Sequence, residues 1–234
     1  MCLPHAGGTA NFFRPWAALV PEGVEVLAAQ YPARETRFLD TPAETMAELV
    51  DELADASVGL FDTTVALFGH SMGASVAYEL SIRLRERDGT APDALFVSGR
   101  GGPGRERRPG LTDAGDDELV EALLRMGGTD AEVLHDPDLR DVVLPAIRAD
   151  YRLLDRYTPR RPDDRSMLDT PVTAYYGSDD TDLLPDDVHA WSAITRSMFR
   201  TRSFPGGHFY LADVADDLLG DLLQHLPMKR KGLS

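Results

Sequence analysis

The sequence predicts an α/β fold: a mostly parallel central sheet flanked by helices, with an inserted helical lid. Two observations carry this. Short apolar, β-branched runs alternate with longer segments of helical period, the rhythm of strands joined by helical crossovers. That rhythm then breaks between residues 100 and 170, where helical patterns occur with no strand among them. At 234 residues the chain is expected to form one domain, residues 1–234, with the lid at about 100–170.

The expected strands are residues 24–30, 63–69, 94–98, 172–176 and 198–204, each rich in Val, Ile, Leu, Tyr, Phe or Thr. Thr41-Pro42 offers an N-cap and an N1 proline for a helix over 43–60. Apolar positions at helical spacing mark 72–87, and a last helix over 211–226 stops before Pro227. In the lid, a Gly/Pro/Arg-rich stretch over 100–110 leads into helices over 116–126 and 137–157.

Composition narrows the function. Apolar residues make up 43% and charged residues 27%, enough to bury a core, so disorder and fibre are excluded. No run approaches the roughly 18 apolar residues of a membrane span, and residues 1–5 lack a signal peptide's basic and apolar regions, so a cytoplasmic protein is expected. The net charge of −15 opposes binding to nucleic acid or anionic lipid. The lone Cys2 leaves no cysteine partner for a disulfide or a zinc site.

Gly69-His70-Ser71-Met72-Gly73 fits G-x-S-x-G and lies where a strand gives way to a helix. Such a turn strains the serine and lifts its hydroxyl clear of the sheet, while the glycines permit close backbone approach. The helix beginning at Met72 turns its N–H groups and positive dipole end toward the oxyanion formed during attack. A serine alkoxide is too basic to exist free near neutrality, so a base must take its proton, and imidazole suits that task.

Six histidines compete. In this architecture the order is Ser, acid, His, which eliminates His5 and His70 as base and leaves His135, His189, His208 and His225. His135 falls in the lid, and His189 and His225 fall in helical patterns. His208 follows a strand in Pro205-Gly206-Gly207-His208, a turn able to aim its ring at the sheet's C-terminal edge. The acid is sought after the strand at 172–176, where Asp179, Asp180 and Asp182 all qualify. Two backbone donors must hold the oxyanion: Met72 is one, and Leu3-Pro4-His5-Ala6-Gly7-Gly8 supplies the other, Ala6 first and Gly7 next.

Gly99-Arg100-Gly101-Gly102-Pro103-Gly104 matches the dinucleotide fingerprint G-x-G-x-x-G, but Pro103 and Pro109 oppose the helix that would hold a pyrophosphate. No P-loop and no His-Glu-x-x-His occurs, so no cofactor or metal is expected. Arginines 100, 105, 107 and 108, and 156, 160, 161 and 165, form two basic clusters on an acidic chain. Leu123, Leu124, Met126, Leu153, Leu154 and Tyr157 are candidates to line an acyl chamber under the lid, or else pack the lid's own core.

Leu3 to Gly8, Phe13-Arg14-Pro15-Trp16, Gln30-Tyr31-Pro32-Ala33-Arg34-Glu35, Gly69 to Gly73 and Gly206-Gly207-His208-Phe209 together resemble the type II thioesterases of polyketide and nonribosomal peptide pathways. Leu144-Pro145-Ala146-Ile147-Arg148-Ala149-Asp150-Tyr151 resembles that family's lid segment. The resemblance implies an α/β-hydrolase that clears stalled or misprimed acyl groups from the phosphopantetheine arm of an acyl or peptidyl carrier protein. It implies Ser71 as nucleophile and His208 as base, and the family's Gly-x-x-Asp pattern, laid on Gly177-Ser178-Asp179-Asp180, selects Asp180. Acidic carrier proteins would suit the arginine clusters. Relatives usually carry a further segment and a complete strand before the Pro-His-Ala-Gly-Gly loop, whereas Met1-Cys2-Leu3 alone precede Pro4 here, so a truncated or very short first strand is expected. A cofactor-independent monomer is expected; a general carboxylesterase and a non-catalytic carrier-binding protein are the rival readings.

Overall fold

All five strands of the sheet run parallel in the computed structural model, which describes residues 1–107, 110–128, 131–163 and 166–227. They are β1 (Cys2–Leu3), β2 (Ala66–His70), β3 (Ala94–Ser98), β4 (Val172–Gly177) and β5 (Phe199–Phe204), side by side in chain order. Four expected strands are present with bounds shifted by a few residues at most. β2 begins at Ala66 rather than at 63, because Thr63 instead closes the preceding turn onto Leu60 O.

The expected strand over 24–30 is not formed. Ala28 alone pairs with Cys2, flanked by bonds from Cys2 N to Leu27 O (2.6 Å) and from Ala29 N to Cys2 O (2.9 Å). A two-residue β1 offers no more backbone to pair with, so the ladder ends there. This segment lies on the far side of β1 from β2. Spatial order therefore reverses at the β1/β2 boundary, the kind of switch point where a crevice opens at the strands' C-terminal ends.

Both faces of the sheet are covered, which is why its strands read as continuous apolar runs. Side chains alternate: Leu67, Leu95, Val97, Val172 and Ala174 join one core, whereas Phe68, Phe96, Tyr175 and Phe204 join the other. The first core is closed by α1 (Met46–Ala56) and α2 (Met72–Asp88), the second by Phe13, Trp16 and α7 (Ala215–Gln224). α2 is buried along nearly its whole length, from Met72 to Leu84, and ends at Gly89, whose φ of 66° no side-chain-bearing residue adopts cheaply.

The helix expected over 43–60 begins later. Thr45, not Thr41, is its N-cap: its hydroxyl accepts from Glu48 N at 3.2 Å, and the Glu48 carboxylate accepts from Glu44 N at 2.9 Å. The helix expected over 211–226 splits into a tight turn at Tyr210–Ala212 and α7. Between β3 and β4 stand α3 (Asp116–Met126), α4 (Ala131–His135) and α5 (Pro137–Arg156), with α6 (Pro185–His189) following β4. Asp136 caps α5 by accepting from Asp138 N and Leu139 N, with Pro137 in the first turn. Buried Leu144, Ile147, Tyr151 and Leu154 mark the inward stripe of α5.

Candidate active site

Ser71 stands alone between β2 and α2 with φ 54° and ψ −117°, a backbone conformation that is costly for a residue with a side chain. Its surroundings hold it there: Ser71 N donates to Ser98 O at 2.8 Å, and Ala74 N donates to Ser71 O at 3.0 Å. A side-chain carbon at Gly69 would fall 2.0 Å from Gly73 O, and one at Gly73 would fall 2.0 Å from Leu3 O. Both glycines are therefore demanded by backbone crossing backbone at the bend.

At the ends of β4 and β5 the backbones also meet, since a side-chain carbon at Gly177 would lie 2.2 Å from Gly207 O. This close approach sets His208 beside Asp180, with His208 Nδ1 2.8 Å from Asp180 Oδ2. The second carboxylate oxygen accepts from Asp182 N at 3.1 Å. Burial opposes the charge of Asp180, but the hydrogen bond and charge of His208, the Asp182 N–H and Arg107 outweigh it and hold the carboxyl below its usual range. An ionised carboxylate only accepts, so Nδ1 carries the proton and Nε2 of the neutral ring keeps its lone pair.

The three aspartates left open by the sequence are placed differently. Asp179 accepts from Gly206 N at 3.3 Å and from Ser178 Oγ, and Asp182 is paired with Arg107 at 2.6 Å; only Asp180 meets His208. Ser71, Asp180 and His208 all line one cavity of about 730 Å³.

Ala6 lines the same cavity, and its N–H, like that of Met72 at the start of α2, has no hydrogen-bond partner among the described residues. Gly7 is different: its N–H is committed to Asp150 Oδ2 at 2.7 Å, which removes it as an alternative donor. Under this rim lie two buried imidazoles. His70 Nδ1 meets Ser98 Oγ at 3.0 Å, which in turn meets Tyr210 OH at 2.7 Å. His5 packs edge-on against Phe12, Phe209 and His70. Burial, reinforced by His208, pushes both rings down, His5 to about 3.

Met126, Leu154 and Leu123 line the cavity, but Leu124, Tyr157 and Leu153 do not. Leu124 sits one residue, about 100°, around α3 from Leu123 and packs against the main core. Tyr157 falls just past the end of α5, where its hydroxyl donates to Glu79 at 2.8 Å. Sequence reasoning missed Tyr151, Phe209, His5 and Arg100, which also face the cavity. Tyr151 could have been found from its spacing to Leu154 on one helical face.

Among the described residues, no helix opens after Gly99-Arg100-Gly101-Gly102 before α3. These glycines answer packing, since a side-chain carbon at Gly102 would lie 2.4 Å from Trp191 N. In the arginine clusters, Arg107 pairs with Asp182, Arg160 with Glu86, and Arg100 Nε donates to Ser75 Oγ at 2.6 Å. Arg108 and Arg165 lie outside the described residues. Among the described residues no group of His, Cys, Asp or Glu is placed to hold a metal ion, and no helix is long and apolar enough to cross a membrane.

The thioesterase domain family model matches residues 1–226. Over 226 residues the chain is 36% identical to a probable cadicidin biosynthesis thioesterase of Streptomyces griseus, covering 97% of this chain and 62% of that protein. It is 36% identical over 231 residues to thioesterase PikA5 of Streptomyces venezuelae, covering 98% of this chain and 81% of that one. Among solved structures it is similar to the type II thioesterase BorB from the borrelidin biosynthetic cluster, with TM-score 0.86 and 42% identity over 96% of this chain and 91% of that chain.

Proposed function

Because the chain belongs to the thioesterase domain family, we propose that it is an editing enzyme that hydrolyses stalled or aberrant acyl groups from the phosphopantetheine arm of acyl or peptidyl carrier proteins in polyketide or nonribosomal peptide assembly. The observation that carries the catalytic part is the His208–Asp180 pair, 2.8 Å apart, on the wall of the cavity that Ser71 also lines.

In this reading Ser71 Oγ attacks the acyl carbon while His208 Nε2 takes its proton. The tetrahedral oxyanion is held by the N–H groups of Met72 and Ala6, each worth about 10² to 10³ in rate. The C–S bond then breaks and the pantetheine thiol leaves with the proton from His208. Water, deprotonated by the same imidazole, attacks the acyl-serine, and the acid departs as Ser71 regains its proton. Asp180 keeps the ring in the required tautomer and offsets the charge it acquires. A thiolate leaves readily, so positioning and oxyanion donation matter more than protonation of the leaving group.

Met126 and Leu154 are the apolar wall against which the acyl chain would lie. Hydrolysis of a panel of acyl-carrier proteins by the wild type and by Ser71→Ala tests the reading. Carrier-bound thioesters should be turned over with kcat/KM above that for matched free esters, and Ser71→Ala should be inactive. Preference for free esters would instead favour a general carboxylesterase.

A further inference from the structure

We propose that Asp150 and Arg34 are positioning residues for the oxyanion loop: their buried ion pair clamps the Gly7 peptide so that the Ala6 N–H is left as the donor. This rests on the serine-hydrolase reading above. Asp150 lies on α5 and Arg34 in the Tyr-Pro-Ala-Arg segment, and both side chains are 7% exposed. Arg34 grips the carboxylate with two nitrogens, at 2.7 and 2.9 Å, and also donates to Gly8 O at 3.1 Å and Pro32 O at 3.0 Å. Asp150 Oδ2 accepts in addition the Gly7 N–H at 2.7 Å.

The loop around Ala6 is thus fixed on every side. Pro4 O accepts from Tyr31 OH, His5 O from Gly8 N at 2.9 Å, Gly7 N–H is held by Asp150, and Gly8 O by Arg34. Gly7 itself has φ 76°, and a side-chain carbon there would lie 2.7 Å from Ile147 Cγ1 of α5, so only glycine fits. A glycine peptide turns over easily, however, and the residue that permits the loop would also let it flip. A charge-assisted bond from a fixed carboxylate removes that freedom. The carboxylate in turn needs Arg34, because a buried charge without a partner is costly.

Neither residue touches the cavity that holds Ser71 and His208, so the clamp acts through the loop backbone it grips at Gly7 and Gly8. The same face of α5 carries Ile147, Tyr151 and Leu154. One helix therefore sets both a wall of the chamber and the position of an oxyanion donor.

The test compares Asp150→Ala, Asp150→Asn and Arg34→Lys with wild type, using a short-chain p-nitrophenyl ester and an acyl-N-acetylcysteamine thioester, each below the variant's own Tm. Asp150→Ala should lower kcat by about 10² to 10³, the effect of losing one oxyanion donor, with KM within twofold. Asp150→Asn, near-isosteric and still able to accept from Gly7, should lose about tenfold, and affinity for a trifluoromethyl ketone inhibitor should fall by the same factors as kcat. Leu144→Ala, a buried change elsewhere on α5, should lower Tm while leaving kcat within twofold.

The inference is overturned if the folded Asp150 variants keep kcat within threefold of wild type. It is also overturned if KM alone rises, or if Leu144→Ala loses as much kcat. Should Asp150→Ala not fold, Asp150→Asn and then Arg34→Lys are read by the same criterion. Wild type that neither cleaves the ester nor is labelled at Ser71 by a fluorophosphonate would overturn the serine-hydrolase reading as well.

Discussion

Moving the protein from pH 7 to pH 5 should cost about 2 kcal/mol of stability through the buried imidazole of His5, with a further loss in the same direction through His70. His5 and His70 are 3% and 0% exposed, with ring centroids 6.1 Å apart. Burial is the chief cause that pushes His5 down to about 3 and His70 well below its ordinary value, and His208 acts in the same direction on both. An unfolded histidine titrates near ~6.5. For His5, between these values, the unfolded chain binds a proton that the fold refuses, so its contribution is complete above about pH 6.5 and drains as the pH falls toward 3; His70 acts with the same sign.

At pH 5 the loss relative to pH 7 comes to about 2 kcal/mol for His5, a sizeable part of a typical total of roughly 5–15 kcal/mol. Urea unfolding at pH 5, 6 and 7 measures it for wild type and for His5→Phe, which keeps a flat ring against Phe12 and Phe209 but cannot titrate. The variant should lose about 2 kcal/mol less between pH 7 and pH 5. An unchanged difference would refute the claim that His5 is held neutral by burial.

Other outcomes follow from the same contacts. Gly73→Ala places a carbon 2.0 Å from Leu3 O, so it should abolish esterase activity and lower Tm, measured side by side with Gly220→Ala, where the space is open. Asp180→Asn should reduce kcat by about 10⁴ through the wrong His208 tautomer, whereas Asp179→Asn and Asp182→Asn should stay within tenfold; steady-state kinetics on one thioester distinguishes the three. Leu154→Trp should fill the cavity wall and shorten the longest acyl chain accepted, with kcat/KM across a chain-length series falling most for the longest members.

The bend and the turn proposed to carry the chemistry are legible because their signals are local. The bend at Ser71 is written in two glycines at fixed spacing, and the turn before His208 in Pro205-Gly206-Gly207. Strand bounds drifted where local bonding took over, as at Thr63, and the strand over 24–30 shrank to a bridge because its partner is only two residues long. The start of α1 was misplaced because two threonines compete as caps and only Thr45 finds a free N–H three residues on. Asp180 could not be separated from Asp179 and Asp182 by composition, since what separates them is the close crossing of the loops after β4 and β5. Arg34 and Asp150 meet across 116 residues of sequence, a contact no spacing rule reveals. Leu124 and Tyr157 show the limit of periodicity: it finds the apolar face of a helix but not which of its residues border a cavity.

The role assigned to Ser71 is tested most directly by rapid quenching of the enzyme with an acyl-carrier thioester, followed by peptide mass mapping. A transient acyl ester is expected on Ser71, formed faster than it is hydrolysed in Asp180→Asn and absent in Ser71→Ala. Full turnover by Ser71→Ala, or acyl mass on any other residue that forms and decays at the rate of turnover, would contradict it.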